Sequence, residues 1–508
     1  MTFITNLPLF SIVLSLFSGV LCFLLGGRAA RRYTIVYECV LLIMAVLVLR
    51  YTMVRGAFTY VMGEFPAPWG NEIRAGILEA LMASVFLMIM ICAVIAGKRY
   101  VKMDVDESKI NLYYALINLM TAALMALIWT NDIFTGYVFL EILTLTSCGI
   151  LIVREIGRTT LAAVRYMILN LLGSGLFLLG VVLLYTITGN LLMVPMQEQI
   201  SILARSPNNI LTITLSLAIL TMGLGIKSGL FPFHYWMPDT YGWATPTSGA
   251  ILSSLVSKAY IFLLFKIFYR VIGIEVFRQL PLGNVLFVLG ILGMVFGSIS
   301  AIRANNINHM VAFSSAAQIG YIYMGIGLGG MAGYTAAMFQ IIAHALTKSL
   351  LFLTTPRLAE VSGNSLKFRD LQGSGLRDKS AGYFFLFGAL SMIGIPIFAG
   401  FSAKLLFALA GVDSGSGKKL FLVMMALAIS SLLNAIYFIR TAIRIFTESQ
   451  SRKTHGTIED QRAKGRWVKG LKAEYVLPMT VLTAANLFLG LFSWVLVDLI
   501  QKGLAMFG

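Results

Sequence analysis

The sequence predicts an all-α polytopic membrane protein with about fourteen transmembrane helices. Of its 508 residues, 58% are hydrophobic and only 12% are charged, and the mean hydropathy is +0.85. Soluble proteins carry roughly a quarter charged residues. Apolar runs of about twenty residues, the length that crosses a bilayer, recur along the chain. The cations lie in short runs between these segments, so the net charge of +17 indicates membrane topology and not a nucleic-acid surface.

The predicted spans follow from a window of about twenty residues moved along the chain. In order they are 6–26, 33–53, 77–97, 111–130, 132–152, 160–186, 210–230, 244–270, 283–302, 308–329, 332–355, 382–409, 420–445 and 475–500. The segments between them are too short for a separate globular domain. The longest, about 446–474, is polar and basic.

Alternate loops carry most of the positive charge. The rich set contains Arg28, Arg31 and Arg32; Lys98 to Lys109; Arg154, Arg158 and Arg165; Arg303; Arg357 to Lys379; and Arg444 to Lys472. Cation-rich loops stay in the cytoplasm. Fourteen spans then predict a multi-pass protein of a bacterial or archaeal cell membrane with both termini extracytoplasmic.

The stretch from Leu224 to Lys258 is the most unusual part of the chain. It contains two lysines, Lys227 and Lys258, within sequence apolar enough for a bilayer, and prolines and glycines between them interrupt regular helix. Ionisable residues at membrane depth are costly and usually face a polar interior. Broken helices beside buried charge are also how transporters build ion sites. Snorkelling of each lysine to an interface is the alternative.

Four more segments place ionisable residues in apolar sequence. Glu141 lies near the middle of the fifth span, and Lys404 follows Pro396 and Gly400 in a second interrupted span. His344 and Lys348 are four residues apart and share one helix face. Lys266 fits either a second relay point or an interfacial snorkeller, and we favour the snorkeller.

The chemistry of these residues is proton or cation handling. A desolvated lysine loses proton affinity and a nearby carboxylate restores it, so moving the counter-charge loads or releases a proton. Buried ion pairs that only fix helix packing are the alternative, although such pairs stabilise proteins poorly. His344 alone also fits an ordinary core histidine.

No cofactor, metal or catalytic redox site is expected in this chain. The four cysteines form no C-x-x-C pair, and the four histidines lack zinc spacing. No phosphate loop, dinucleotide fingerprint or nucleophile elbow stands in a plausible context.

Taken together, the charged segments resemble the antiporter-like membrane subunits shared by respiratory complex I, membrane-bound hydrogenases and Mrp-type sodium/proton antiporters. The resemblance covers most of the chain, most strongly from about Asp132 to Lys404. It is carried by FLEILTLTS, GLGIKSGLFPFHYWMPDTY, ATPTSGAILSSLVSKAYI, HALTKSLLFL and GIPIFAGFSAK. The segment FTYVMGEFPAPWGNEIRAG is most similar to the Mrp and hydrogenase side of the family.

The resemblance implies two inverted five-helix repeats in which helices seven and twelve are broken. The corresponding division is an N-terminal three-helix segment at 1–110, repeats at 111–260 and 261–410, and C-terminal helices with the basic loop at 411–508. It implies a proton relay in which Glu141 and Lys227 form a coupled pair, Lys258 bridges, His344 and Lys348 lie along the centre, and Lys404 leads to the exit. Secondary candidates are Arg165, His234, Asp239, Lys266 and His309.

The sequence departs from the family pattern at two places. Asn308 and His309 stand in the tenth helix where an acidic-plus-basic pattern is common, and Arg165 stands where the sixth helix often has lysine. Arginine stays protonated in proteins. Arg165 is therefore expected to act as a fixed electrostatic partner and not as a proton carrier.

The leading functional hypothesis is a subunit that translocates protons, with sodium left open, in a multisubunit antiporter or a redox-driven pump. The alternatives are a non-conducting structural subunit of the same kind of complex and a stand-alone transporter of an organic solute. The expected partners are homologous antiporter-like subunits, small membrane subunits, the lipid bilayer and, in a redox complex, hydrophilic iron–sulfur subunits. The parent complex, the electron donor and the direction of pumping stay open.

Overall fold

A computed structural model describes residues 3–65, 70–448 and 472–507 of the chain. Helices dominate. In the first half they are α1 (Leu7–Leu24), α2 (Gly27–Arg55), α3 (Ile77–Ala96), α4 (Lys98–Asp104), α5 (Ile110–Trp129), α6 (Ile133–Ile152), α7 (Gly157–Thr188), α8 (Met193–Leu203), α9 (Pro207–Ser228), α10 (Met237–Trp243) and α11 (Pro246–Ile251).

The second half continues in the same way. Its helices are α12 (Ser257–Lys266), α13 (Ile274–Gln279), α14 (Leu282–Arg303), α15 (Ile307–Leu328), α16 (Gly330–Glu360), α17 (Ser374–Arg377), α18 (Lys379–Ile393), α19 (Ala399–Asp413), α20 (Gly417–Phe446), α21 (Lys472–Leu491) and α22 (Ser493–Ala505). Two π segments, Leu252–Val256 and Ile267–Ile272, flank α12 on its two sides.

The all-α membrane architecture predicted from the sequence is confirmed. In the described part of the chain, thirteen helical stretches are long and apolar enough to cross a bilayer. The remaining predicted span, 382–409, is two half helices of 15 residues each, α18 and α19. The basic loop predicted at 446–474 lies largely outside the described residues.

Both interruptions predicted from glycine and proline are present. α9 ends at Ser228, where Gly229 adopts φ +79°, and a short 3-10 turn leads into α10. α18 ends at Ile393, where Gly394 adopts φ +89°. Positive φ suits glycine because it has no Cβ. Each break leaves the last carbonyls of a half helix without helical partners.

A small hairpin was not foreseen from the sequence. Strands β1 (Phe58–Val61) and β2 (Glu72–Ala75) pair antiparallel between α2 and α3. The four-residue strands carry too little periodicity to stand out between long apolar runs. The hairpin brings Arg74 to one end of the helix bundle, where it contacts Glu79 at the start of α3 and the backbone of Met506 after α22.

Contacts between loops divide the helix ends into two groups. At one end, Lys98 Nζ donates to Glu474 Oε1 at 2.6 Å, and Arg154 Nη1 donates to the Trp243 carbonyl at 2.7 Å. We call this the cation-rich end, since the loops after α3, α6, α14 and α16 meet there. The alternation of loops predicted from the charge pattern is therefore reproduced in three dimensions.

The opposite end holds the hairpin and the last helix. Gln197 Nε2 donates to the Tyr269 carbonyl at 3.0 Å, and Arg74 donates to the carbonyl of Met506. We call this the cation-poor end. The described residues at the start of the chain also pack against the hairpin, so both described termini lie at this end.

The centre of the bundle is formed by α11, α12, α15 and α16, whose side chains are almost all buried within the protein. α14 and α15 cross at very short range. A Cβ on Gly290 would lie 2.4 Å from the Met324 nitrogen, and one on Gly297 would lie 2.6 Å from the Ala317 nitrogen. Small residues permit such close crossings in membranes. The central helices thus place Lys258, Lys266, His344 and Lys348 within the protein interior.

Candidate ion path

Lys227 lies on the last turn of α9, immediately before the first break. Its side chain is fully buried, and its Nζ donates to Thr144 Oγ1 at 2.7 Å. The ammonium also lies 5.4 Å from the ring centroid of Tyr260. Gly173 makes room for the side chain, since a Cβ there would lie 3.0 Å from Lys227 Cγ. Lys227 is therefore held at depth by a hydroxyl and an aromatic face and does not snorkel.

Glu141 lies one turn before Thr144 on α6. Its Oε1 is buried without a hydrogen-bond partner. No ion pair within 4.0 Å joins this carboxylate to Lys227 in the described structure. Because Thr144 is three residues further along the same helix face, the hydroxyl that holds Lys227 and the unpaired acid are neighbours. The two charged groups are near each other but separated.

Lys258 lies on the first turn of α12, directly after the first π segment. It is fully buried, and its Nζ donates to the Ser253 carbonyl and, at 3.2 Å, to Ser257 Oγ. π segments are frequent at functional sites. Tyr260, two residues further on, reaches Thr144 Oγ1 at 3.3 Å. The Thr144 hydroxyl thus links the surroundings of Lys227 to the helix that carries Lys258.

Backbone carbonyls and serine hydroxyls of α15 and of the first π segment surround Lys258 and Lys348. Ser253 and Ser315 share a hydrogen bond of 3.0 Å. Ser315 Oγ donates to the Val311 carbonyl, which also accepts from Lys348 Nζ at 2.8 Å. Lys348 donates to Ser314 Oγ as well, and its side chain is fully buried. Polar groups of Ser253, Ser315 and Val311 therefore lie along the way from α12 through α15 to α16, although Lys258 bonds the Ser253 carbonyl and not its hydroxyl.

His344 lies one turn before Lys348 on α16. Its side chain is buried, and neither ring nitrogen has a hydrogen-bond partner within the described residues. The ring borders a small cavity that Thr347 and Ser391 also line, and Lys404 lies at the same cavity. Buried polar groups normally have partners. The unpartnered imidazole therefore lies at the same cavity as Lys404, one helical turn from Lys348.

Lys404 lies in the second turn of α19, after the second break. Its Nζ donates to the Ile393 carbonyl, the last residue of α18, and at 2.7 Å to Ser431 Oγ on α20. The Tyr321 ring lies 5.9 Å away. Gly394 is required here, since a Cβ on it would lie 2.8 Å from Lys404 Cδ. The negative end of a half helix thus holds this ammonium.

Four of the secondary candidates, Arg165, His234, Asp239 and His309, lie around the first break and α10. Arg165 Nη1 forms an ion pair of 2.9 Å with Asp239 Oδ2, and 57% of the Arg165 side chain is exposed. His234 is buried, with neither nitrogen partnered, and lies 4.4 Å from the ring of Tyr235. His309 packs edge-on against Trp243 at 5.1 Å. Among the described residues, none of these four groups hydrogen-bonds to the lysines of the path.

Lys266 does not snorkel, so the favoured sequence interpretation of this residue is wrong. Its side chain is fully buried, and Nζ donates to the carbonyls of Ile128 at 2.8 Å and Thr130 at 2.5 Å. These carbonyls end α5, and cations are stabilised at helix C termini. Hydropathy alone cannot distinguish a lysine that reaches lipid headgroups from one that reaches a neighbouring helix end.

The sequence pattern did not predict the burial of two acids, Glu38 and Glu79. Glu79 forms an ion pair of 2.8 Å with Arg74, and both side chains are buried at the cation-poor end. Glu38 is fully buried on α2 and accepts from Thr121 at 2.6 Å. Glu38 and Glu79 lie near the starts of the predicted spans 33–53 and 77–97. At such positions the hydropathy pattern is equally compatible with an exposed acid.

The amines of the path are surrounded by oxygen atoms. Within the described residues, the amines of Lys227, Lys258, Lys266, Lys348 and Lys404 donate only to hydroxyl and carbonyl oxygens. In that part of the chain no group of three His, Cys, Asp or Glu side chains comes together. Amines, imidazole and hydroxyls can accept and donate protons.

The sequence matches the family model described as NADH:quinone oxidoreductase/Mrp antiporter, TM, over residues 130–433. It is similar to NADH-quinone oxidoreductase subunit N of Desulforudis audaxviator, with 29% identity covering 96% of each chain. It is also similar to a Na(+)/H(+) antiporter subunit of Bacillus subtilis, with 25% identity covering 86% of this chain and 83% of the relative.

Two solved structures share the fold. One belongs to the Mrp complex from Dietzia sp. DQ12-45-1b, with a TM-score of 0.86 and 23% identity over 99% of this chain and 97% of that one. The other belongs to a membrane-bound sulfane sulfur reductase, an archaeal respiratory membrane complex, with a TM-score of 0.85 and 23% identity over 99% of this chain and 98% of that one.

Proposed function

The chain belongs to the NADH:quinone oxidoreductase/Mrp antiporter family of membrane subunits, and we propose that it translocates protons as one membrane subunit of a larger complex. One observation carries this proposal. Hydroxyls, carbonyls and the His344 ring surround four lysines that lie across the centre of an otherwise apolar bundle: Lys227, Lys258, Lys348 and Lys404. Burying a row of ionisable groups in a membrane protein costs free energy, and such groups usually mark an ion or proton pathway.

The proposed mechanism starts at the first break. In the present arrangement Lys227 is bound to Thr144, and Glu141 is unpaired. Movement of the Glu141 carboxylate toward Lys227 favours the ammonium, and its withdrawal favours release of the proton toward Lys258. At an effective dielectric constant of about 20, two charges at about 4 Å interact by roughly 4 kcal/mol. That energy is sufficient to switch a lysine between holding and releasing a proton.

The later steps pass through the centre to the second break. Lys258 releases its proton toward Lys348, past the hydroxyls of Ser253 and Ser315, and His344 passes it across the cavity to Lys404. The proposed repeats, 111–260 and 261–410, would then each contribute one broken span to a single path. We propose protons as the ion on this path, since its amines, imidazole and hydroxyls can each accept and donate a proton.

The decisive experiment replaces Lys227 in the assembled complex. Lys227→Met and Lys227→Arg should each lower proton translocation into sealed vesicles by at least about tenfold, because methionine cannot carry the proton and arginine does not release it. Lys502→Met, at an exposed lysine paired with Asp498, should leave the rate unchanged. A fully active Lys227→Arg variant would make this group a fixed charge. Full activity of Lys227→Met as well would favour the non-conducting structural subunit.

We also propose that the chain works only beside other membrane subunits. Its relatives include one subunit of a quinone oxidoreductase and one of a sodium/proton antiporter. Identification of the proteins that co-purify from native membranes decides between these settings. Hydrophilic iron–sulfur partners would indicate a redox pump, and membrane partners alone would indicate an antiporter.

The orientation that we propose places the cation-rich end in the cytoplasm and both termini outside. A membrane-impermeant maleimide should label Thr447→Cys only in inside-out vesicles, because Thr447 is exposed at the cation-rich end. Lys502→Cys, at the opposite end, should be labelled only in right-side-out vesicles. The reverse pattern would overturn the orientation without affecting the relay.

A further inference from the structure

A basic cavity lies at the cation-rich end, away from the lysine path. It occupies about 480 Å³ between the ends of α14 and α20, the start of α15 and the loop that follows α16. Five cations line it: Arg303, Lys367, Arg369, Arg440 and Arg444. Such a concentration of like charge is unfavourable unless an anion compensates it.

The cations have few protein partners. Within the described residues Arg369 alone has a carboxylate partner, Asp370, at 3.4 Å. The hydrogen bond from Ser365 lowers the pKa of the partly exposed Asp370 carboxyl below its ordinary value, and this carboxylate is therefore bound within its own loop. Arg444 stacks over the ring of Phe368 at 5.7 Å. Lys367 lies close enough to Asp370 to help lower the pKa of that carboxyl. Arg303 and Arg440 have no ion-pair partner among the described residues.

Backbone contacts hold the walls of the cavity in place. The Ile307 amide donates to the Leu366 carbonyl at 3.1 Å, and Asn306 and Lys367 form an antiparallel bridge. On the other side, the Gly373 amide donates to the Arg444 carbonyl at 3.1 Å. The loop is thus fastened to α15 and to α20. The backbone around the five cations is therefore fixed by contacts among α15, α20 and the loop after α16.

An apolar groove continues from the cavity along α20. Ile436, Ile439 and Ile443 are 44%, 45% and 62% exposed and border a second cavity with Arg440 and Arg444. The spacing of three and four residues places these side chains on one helix face. Cations at a helix end above an exposed apolar stripe match a lipid, whose headgroup is charged and whose acyl chains are not.

We propose that this cavity binds an anionic phospholipid, with its phosphate among the arginines and an acyl chain along the isoleucine face of α20. Basic pockets between transmembrane helices are suited to such headgroups, and each cation near the surface contributes about fivefold in affinity. A protein partner would need an acidic surface joined to an apolar ridge at this depth. A phospholipid supplies both features from the surrounding bilayer.

The test uses the assembled complex in nanodiscs of defined composition. A photoreactive p-benzoylphenylalanine replaces Ile443, and the cross-linked products are identified by mass spectrometry. Phosphatidylglycerol should cross-link at least about fivefold more than phosphatidylcholine at the same mole fraction. Arg440→Gln combined with Arg444→Gln should lower the phosphatidylglycerol product by about 25-fold. Arg28→Gln combined with Arg32→Gln, an exposed pair of the same spacing at the same membrane end, should leave it unchanged.

Loss of assembly in the α20 double variant does not end the test, since Lys367→Gln combined with Arg369→Gln removes two cations from the loop instead and should show a similar decrease. Equal cross-linking of the two lipids would overturn the proposal. So would a product formed with residues 449–471 of this chain or with a neighbouring subunit. Complete displacement of the lipid by inorganic phosphate would show a phosphate site without the acyl groove and would also overturn it.

Discussion

At the first break the lysine precedes the interruption, whereas at the second the lysine follows it. Lys227 is fully buried, is held by the Thr144 hydroxyl and has an unpaired carboxylate one helical turn from that hydroxyl. Lys404 is partly exposed and is held by the Ile393 carbonyl and the Ser431 hydroxyl. No described carboxylate lies within 4.0 Å of it.

The difference concerns how each positive charge is compensated. A side-chain carboxylate can move toward or away from its partner, but the carbonyl end of a half helix is part of the backbone. The first break therefore has a switchable counter-charge, and the second has a fixed one. We expect the first break to decide whether the proton moves, and the second to provide a constant site on its way out.

Removal of the acid charge should have the largest effect. Glu141→Gln should lower proton translocation by the assembled complex at least about tenfold, because loss of even about 1.4 kcal/mol of charge interaction is a factor of ten. Proton uptake by sealed vesicles measures it. Glu155→Gln, which changes an exposed acid paired with Lys109, is the control. Normal transport by Glu141→Gln would mean that the two breaks do not differ in the proposed way.

Alanine at the two break glycines should have an intermediate and unequal effect. Both residues have positive φ, so Gly229→Ala and Gly394→Ala should each destabilise the subunit by about 1 kcal/mol. A Cβ at 394 also lies 3.0 Å from Lys404 Nζ, whereas a Cβ at 229 meets the flexible Met237 side chain. Transport should therefore fall about fivefold for Gly394→Ala and about twofold for Gly229→Ala.

Thermal unfolding and vesicle transport, measured on the same preparations, separate the two contributions. Similar unfolding temperatures with unequal transport would support direct displacement of Lys404. Equal transport losses would instead assign both effects to backbone strain.

The smallest effects should come from the neutral hydroxyls. Thr144→Val removes the hydrogen bond of Lys227 while preserving shape, and about threefold slower transport is expected. Ser431→Ala should cost less than about twofold, because the Ile393 carbonyl still accepts from Lys404. Initial rates in vesicles provide the comparison. A larger loss in Ser431→Ala would show that the hydroxyl, and not the half-helix end, positions Lys404.

The sequence identified the charged residues better than their partners. Lysines within apolar runs, next to glycine and proline, predicted both broken spans because each signal is local. Thr144 and Ser314 could not be assigned to Lys227 and Lys348, since these contacts bring together helices distant in sequence. The same applies to Lys266, whose carbonyl partners lie 136 and 138 residues away. The expected coupling of Glu141 to Lys227 remains a prediction.

The two π segments that flank α12 make chain length part of the site. An α-helix turns by about 100° per residue, and a π segment accommodates roughly one extra residue within a turn. Deleting one residue between Lys258 and Lys266, where α12 has ordinary winding, would rotate everything that follows by about that angle, and Lys266 would then point toward other neighbours although every side chain around it was unchanged. Deleting one residue from Leu252–Val256 would instead convert the π segment into an ordinary turn and leave Lys258 close to its present direction. A single-residue deletion should therefore be tolerated better in the π segment than in α12.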